Sequence, residues 1–166
     1  MQRWRLYLPL IVFAALGTLL WRGLSLDPNY MPAALEDRQL PEFRVPTLEQ
    51  REVSRADLLG EVALINVWAT WCPSCHAEHA YLNQLAREGV PIFGINYKDE
   101  AAAARRWLEQ KGDPYRINLV DENGRLGLDL GVTGAPETYL IDAAGVVHLR
   151  YQGPIDERVW RQKIKP

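Results

Sequence analysis

Cys72-Pro73-Ser74-Cys75 holds both cysteines of the 166-residue chain, with two residues between them. A disulfide joining them closes a loop so short that chain entropy makes it worth only about 2 kcal/mol, a poor structural staple. Secreted domains that rely on disulfides for stability carry several bridges across long loops. The pair is therefore read as chemistry. An apolar run, Val62 to Trp68, leads in, and Ala77, Tyr81, Leu82 and Leu85 follow at helical spacing. A C-x-x-C pair at such a strand–helix junction is a redox dithiol arrangement. Cys72, at the helix start, lies over unpaired backbone N–H groups and the positive end of the helix dipole, which favour its thiolate. It is the expected exposed nucleophile, and Cys75, one turn in, the less exposed resolving thiol.

Two other chemistries use the same residues. Cys72-Pro73-Ser74-Cys75-His76 spells the c-type haem attachment pattern, but the only methionines able to serve as a distal ligand are Met1 and Met31, both upstream. Cys72, Cys75, His76 and His79 are metal-ligand types. Packed on one short helical stretch, they would struggle to surround a tetrahedral ion.

A rotation of 100° per residue puts Glu78 inside the apolar arc of Ala77, Tyr81, Leu85 and Leu82, and His76, Asn83 and Arg87 on the opposite, solvent side. Glu78 follows Cys75 by one turn. An inward carboxyl there has a raised pKa and can pass protons to the resolving thiol. The alternative is an acid complementing the helix dipole. Both readings stay open. Gly131-Val132-Thr133-Gly134-Ala135-Pro136, ahead of a strand, marks a tight turn whose proline can take either isomer.

The remaining elements must position these groups. Leu6 to Leu26 is apolar apart from Thr18, Arg22 and Ser25, long enough as a helix to cross a bilayer, and Arg3 and Arg5 precede it. The expectation is an uncleaved anchor (residues 1–26) with its N-terminus cytoplasmic and the rest outside; a cleaved signal peptide is the competing reading. Residues 27–39, with Pro28 and Pro32, read as a linker, and 40–166 as one domain. Of the 19 basic residues, three lie in residues 1–26 with no acid, so the net charge of −2 leaves −5 on the remainder. An acidic soluble part argues against nucleic acid. Within it, Phe43–Leu48 reads as an edge strand, Glu49–Gly60 as turns, and Val62–Trp68, Pro91–Tyr97 and Arg116–Val120 as strands. Helices are expected over about Asp99–Lys111 and Leu126–Leu130. Thr138–Ile141 and Val146–Tyr151 form a hairpin, and a last helix carries Val159, Trp160 and Ile164. This alternation implies an α/β fold with a mixed central sheet flanked by helices.

Trp68-Ala69-Thr70-Trp71-Cys72-Pro73-Ser74-Cys75 resembles the active site of the thioredoxin superfamily, and Gly134-Ala135-Pro136 its cis-proline loop. Asn66 to His79, Gly94-Ile-Asn-Tyr-Lys-Asp99, Leu126 to Gly131 and Gly134 to Thr138 are similar to segments of the membrane-anchored cytochrome c maturation reductases called CcmG or DsbE. The resemblance implies a thioredoxin-like domain in the periplasm, tethered to a bacterial inner membrane by one transmembrane helix. It implies reduction of the C-x-x-C-H disulfide of apocytochrome c, directly or through a partner thiol protein, with electrons from a transmembrane thiol reductase of the DsbD or CcdA type. It implies a redox-active disulfide between Cys72 and Cys75. Ala135 and Pro136 contact substrate, Trp71 and Glu78 support the dithiol, Glu137 adds to an acidic active site, and no cofactor or metal is implied. The alternatives are a general extracytoplasmic thioredoxin of the TlpA or ResA kind, a c-type haem carrier and a non-catalytic chaperone for the cytochrome. Two departures matter. Asn66 stands where cytosolic thioredoxins carry a buried aspartate, so proton transfer falls to Glu78, and His76 stands where relatives often carry arginine or lysine.

Overall fold

The central strand and the helix after it form as their apolar patterns require. In the computed structural model, which describes residues 4–24 and 37–165, strand β3 (Ala63–Trp68) is buried along its whole length, covered on both faces. Helix α2 (Pro73–Arg87) follows it with Pro73 in its first turn, where a missing N–H does no harm. Strand β4 (Ile92–Tyr97), helix α3 (Ala101–Lys111) and strand β5 (Ile117–Asp121) continue the alternation. A short helix α4 (Arg125–Asp129) precedes strands β6 (Glu137–Ile141) and β7 (Val147–Gln152).

The five strands lie in the order β5-β4-β3-β6-β7. β3, β4 and β5 are parallel, whereas β6 runs antiparallel to β3 and β7 to β6. The mixed sheet between helices is the architecture expected. One face carries Ala63, Ile65, Val67, Phe93, Ile95, Leu119, Tyr139 and Ile141. The other carries Leu64, Trp68, Ile92 and Tyr115 against Leu82, Leu85, Ala104 and Leu108. On that second face Trp68 Nε1 donates to Asn118 Oδ1 at 2.9 Å, across Gly94 on the strand between them. A Cβ at Gly94 would run into Asn118, Tyr115 and Trp68, so only glycine lets this buried bond form.

Two expectations need correction, and one is refined. Phe43–Leu48 forms the expected edge strand, though only over its central residues. Its residues Arg44–Pro46 (β1) pair antiparallel with Glu52–Ser54 (β2) in a separate two-stranded sheet, and the Thr47–Leu119 bridge links this segment to β5. β2 lies in the stretch read as turns, because Val53 alone gives no alternation to detect. A 3₁₀ turn, Arg55–Leu58, also lies there. The last helix is a single α turn (α5, Glu157–Val159), capped by Asp156, that widens into a π turn over Trp160–Ile164 and buries Val159 and Ile164.

The chain divides into two units, residues 1–30 and 31–166. In the first, helix α1 (Trp4–Leu24) contains Pro9 and exposes apolar side chains from Tyr7 to Trp21. Side chains are described over residues 7–22, about 24 Å of helix. Over the described residues no helix is long and apolar enough to cross a membrane. The span expected over Leu6–Leu26 extends beyond them past Leu24, and the linker expected over residues 27–39 lies outside the described residues up to 36.

Candidate active site

Cys72 is the N-cap of α2, in extended backbone, and its Sγ accepts the Cys75 N–H at 3.1 Å. The two sulfurs are joined in a disulfide, with Cα atoms 5.3 Å apart. The expected contrast in exposure is absent. Both cysteines are 2 % exposed in this oxidised form. What separates them is position: Cys72 alone caps the helix, where its sulfur meets a free N–H and the positive dipole end. On its other side Cys72 Sγ lies 3.4 Å from the carbonyl oxygen of Ala135, and the Ala135–Pro136 peptide is cis. The turn read from Gly131–Pro136 is thus brought against the dithiol from the far end of the chain.

Trp71 is half exposed (54 %) beside Cys72, and its Nε1 donates to the Lys98 carbonyl at 2.9 Å. Lys98, with φ +47°, opens the loop between β4 and α3. The next residue, Asp99, turns back toward the active-site loop. Its carboxylate accepts from Thr70 N–H (2.6 Å), Thr70 Oγ1 (2.8 Å), Asn96 Nδ2 (2.9 Å) and Glu100 N–H (2.9 Å). Sequence reading places Asp99 only at a helix start; in the structure Glu100 is the N-cap.

Glu78 is 2 % exposed on the same buried side of α2 as Cys75. One oxygen accepts from Asn66 Nδ2 at 3.0 Å and the other from Ile155 N–H at 2.8 Å. Burial pushes its pKa from 4.5 up to about 7, against the pull of those two hydrogen bonds. A carboxyl so poised can give or take a proton at neutral pH, a turn away from a cysteine. Asn66, fully buried, also donates to Thr138 Oγ1 (3.1 Å) and accepts from Tyr115 OH (2.8 Å). Burial, with the Glu78 charge second, holds the Tyr115 hydroxyl well above its ordinary pKa.

The rest of α2 departs from the expected arc. Ala77 is exposed, and the buried arc is centred nearer Leu82, taking in His79. His79 Nε2 lies 2.9 Å from the Gly112 carbonyl, and its ring meets Trp107 edge-on at 4.2 Å. Burial lowers its pKa. Its place beside Leu82 on the helical wheel was the available signal. His76 is exposed, as expected, yet engaged: Nε2 lies 2.8 Å from the Thr70 carbonyl and the ring stacks on Trp107.

Glu137, expected to add to an acidic active site, is buried in an ion pair. It is 1 % exposed and paired with Arg150, which donates from Nε to Oε2 (2.9 Å) and from a terminal nitrogen to Oε1 (3.0 Å). Thr133 N–H, Thr133 Oγ1 and Gly134 N–H also donate to Oε1. Arg150 in turn donates to the Gly131 carbonyl at 2.7 Å. The pair therefore pins the 131–134 loop that leads into Pro136. Arg150 escapes sequence reading because a single basic residue in a strand looks like an exposed one.

A family profile described as Redoxin matches residues 35–164. The thiol:disulfide interchange protein DsbE of Pseudomonas fluorescens biotype C is 50 % identical over 165 residues, covering 99 % of this chain and 93 % of its own. DsbE of Escherichia coli K12 is 46 % identical over 174 residues, covering 100 % and 94 %. Among solved structures, a Chlorobium tepidum protein described as a thiol:disulfide interchange protein DsbE superposes with a TM-score of 0.68 at 25 % identity, over 76 % of this chain and 94 % of that one. MTB DsbF, solved in mixed oxidised and reduced forms, gives 0.64 at 26 % identity, over 78 % and 92 %. The folded unit is thus thioredoxin-like.

Proposed function

The chain belongs to the Redoxin family and, within it, to the DsbE thiol:disulfide interchange proteins, and from that membership we propose that it reduces the C-x-x-C-H disulfide of apocytochrome c before haem attachment. It is a thiol–disulfide oxidoreductase, and its domain acts outside the cytoplasm. The observation that carries the site is Cys72 Sγ, capping α2 and 3.4 Å from the Ala135 carbonyl beside cis-Pro136.

In the reduced form the Cys72 thiolate attacks one sulfur of the substrate disulfide. That S–S bond breaks, a Cys72–substrate disulfide forms, and the displaced substrate sulfur takes up a proton. Ala135 and Pro136 line the approach, and Trp71 flanks it. Cys75 then loses its proton to Glu78 and attacks Cys72 Sγ, releasing the second substrate thiol and leaving Cys72–Cys75 oxidised. Two electrons and two protons from a transmembrane thiol reductase of the DsbD or CcdA type restore the dithiol. The substrate is apocytochrome c itself or a partner thiol protein of the maturation system. Glu137 acts by holding the proline loop.

Leu6–Leu26 anchors the protein in the bacterial inner membrane as a single-pass helix, with the domain periplasmic. The full-length match to DsbE proteins, which takes in this segment, supports the reading. Cys75→Ser in the full chain is expected to strand substrates as mixed disulfides on Cys72. Recovery of apocytochrome c or a maturation thiol protein supports the proposal. Recovery of a broad set of folding periplasmic proteins overturns it in favour of a general thioredoxin of the TlpA or ResA kind.

A further inference from the structure

The chain reaches Pro136 through a turn held by α4 on one side and by side chains on the other. Gly131 and Val132 lean back on α4, their N–H groups donating to the carbonyls of Leu128 (3.0 Å) and Gly127 (2.7 Å). The N–H groups of Thr133 and Gly134 go instead to the Glu137 carboxylate, at 2.8 and 3.2 Å. Gln152 Nε2 donates to Thr133 Oγ1 at 2.8 Å. The Tyr139 hydroxyl lies 3.0 Å from Glu137 Oε2 and 3.3 Å from the Leu130 carbonyl.

Arg150 completes this arrangement from β7. One of its terminal nitrogens donates both to Glu137 Oε1 and to the Gly131 carbonyl. A single guanidinium thus fixes the start of the turn directly and its end through Glu137. The next residue, Ala135, places its carbonyl 3.4 Å from Cys72 Sγ, and the Pro136 carbonyl accepts from Gly153 N–H at 2.9 Å. A buried ion pair adds little net stability over apolar side chains of the same volume, because desolvation offsets the attraction. What a planar fork of donors supplies is a fixed geometry. We infer that Arg150 is a positioning residue for polypeptide substrates: it holds the 130–134 turn so that Ala135 and Pro136 stand in place beside Cys72 for an extended chain.

An extended substrate must lie against Ala135 and Pro136 while its disulfide meets Cys72, so a turn that wanders lowers its affinity. A small disulfide needs only the sulfur. In either reaction the Cys72–Cys75 bond forms and the substrate S–S bond breaks. Two electrons pass to the substrate, whose two sulfurs leave as thiols with the two protons. This role rests on the dithiol reading of the site and on the approach past Ala135 and Pro136, and not on which polypeptide is reduced.

The test follows single-turnover oxidation of the pre-reduced full chain by an oxidised C-x-x-C-H peptide and by hydroxyethyl disulfide. Two variants loosen the turn. Arg150→Lys keeps a cation for Glu137 but has one nitrogen where the guanidinium uses two. Thr133→Val, of the same shape and at an exposed position, removes the hydroxyl that meets Glu137 and Gln152 and leaves the core intact. The second-order rate constant for the peptide, relative to that for hydroxyethyl disulfide, is expected to fall about tenfold in Arg150→Lys and about threefold in Thr133→Val. The fall should come through the half-saturating peptide concentration rather than the limiting rate. A merely structural role lowers thermal stability and leaves that ratio in place. An unchanged ratio in Thr133→Val, or in Arg150→Lys where melting shows it folded, overturns the inference, as does an equal loss with both disulfides. Capture of a broad set of periplasmic proteins by Cys75→Ser, with the ratio changes intact, overturns the apocytochrome reading instead.

Discussion

Arg150 on β7 and Glu137 on β6 form a buried two-pronged ion pair, Nε to Oε2 at 2.9 Å and a terminal nitrogen to Oε1 at 3.0 Å, directly behind the loop that carries Pro136. Both side chains are buried. Their mutual attraction offsets the expense of burying two charges, and the Thr133, Gly134 and Tyr139 donors complete the acceptor's needs.

Removing one partner leaves a lone buried charge. Arg150→Met is expected to destabilise the domain by about 3–5 kcal/mol in urea unfolding. Arg150→Met combined with Glu137→Gln should lose much less than the sum of the two single changes, because the residues share one network. A single-mutant loss below about 1 kcal/mol is incompatible with this pairing.

The elements that carry the cysteines are legible in the sequence because their signals are local. Val62–Trp68 announces β3, and the spacing of Leu82 and Leu85 announces α2. Glu78 is legible for the same reason, as the acid inside an apolar arc. The residues that escape are those whose partners lie far away in sequence. Asp99 meets Thr70 across 29 positions, His79 meets Gly112 across 33, and Arg150 meets Glu137 across a hairpin. Periodicity has no period for such pairs. A basic residue in a strand or a histidine on a helix has the same pattern whether paired or free. The β1–β2 pair escapes for lack of alternation, with Val53 its one buried side chain in β2.

His79 contributes a slope to the acid side of the stability curve. Burial lowers its folded pKa below 6.5, so below about pH 6.5 the unfolded chain binds a proton that the folded one resists. Its contribution therefore makes stability fall as pH drops through 6.5 toward the folded value. His79→Gln, which keeps a donor for the Gly112 carbonyl, removes that contribution, so its stability relative to wild type is expected to rise as pH drops from 7 to 5. Urea midpoints between pH 5 and pH 7 read the difference, and parallel curves for the two proteins contradict the assignment.

Glu78 works in the opposite direction and over a wider span. Its folded pKa is raised to about 7 from 4.5, so between those values the folded protein holds a proton that the unfolded chain has released. Stability from this group is full below about pH 4.5, falls as pH rises, and levels off above about 7. The whole difference is on the order of 3 kcal/mol, since each pH unit between 4.5 and about 7 is worth about 1.36 kcal/mol. Both hydrogen-bond partners, Asn66 Nδ2 and Ile155 N–H, are neutral, so no cation at these contacts offsets the buried charge at high pH. Glu78→Gln keeps the shape and an acceptor and removes the titration. The oxidised variant should therefore gain stability relative to wild type at pH 8 and lose that advantage at pH 4.5. Its release of a Cys72 mixed disulfide should be slower, without the wild-type inflection near pH 7, because Cys75 has lost the group that takes its proton. Urea unfolding across this range and stopped-flow release of a model mixed disulfide measure the two effects. A wild-type inflection near 7 that persists in Glu78→Gln assigns that titration to another group and removes Glu78 from the mechanism.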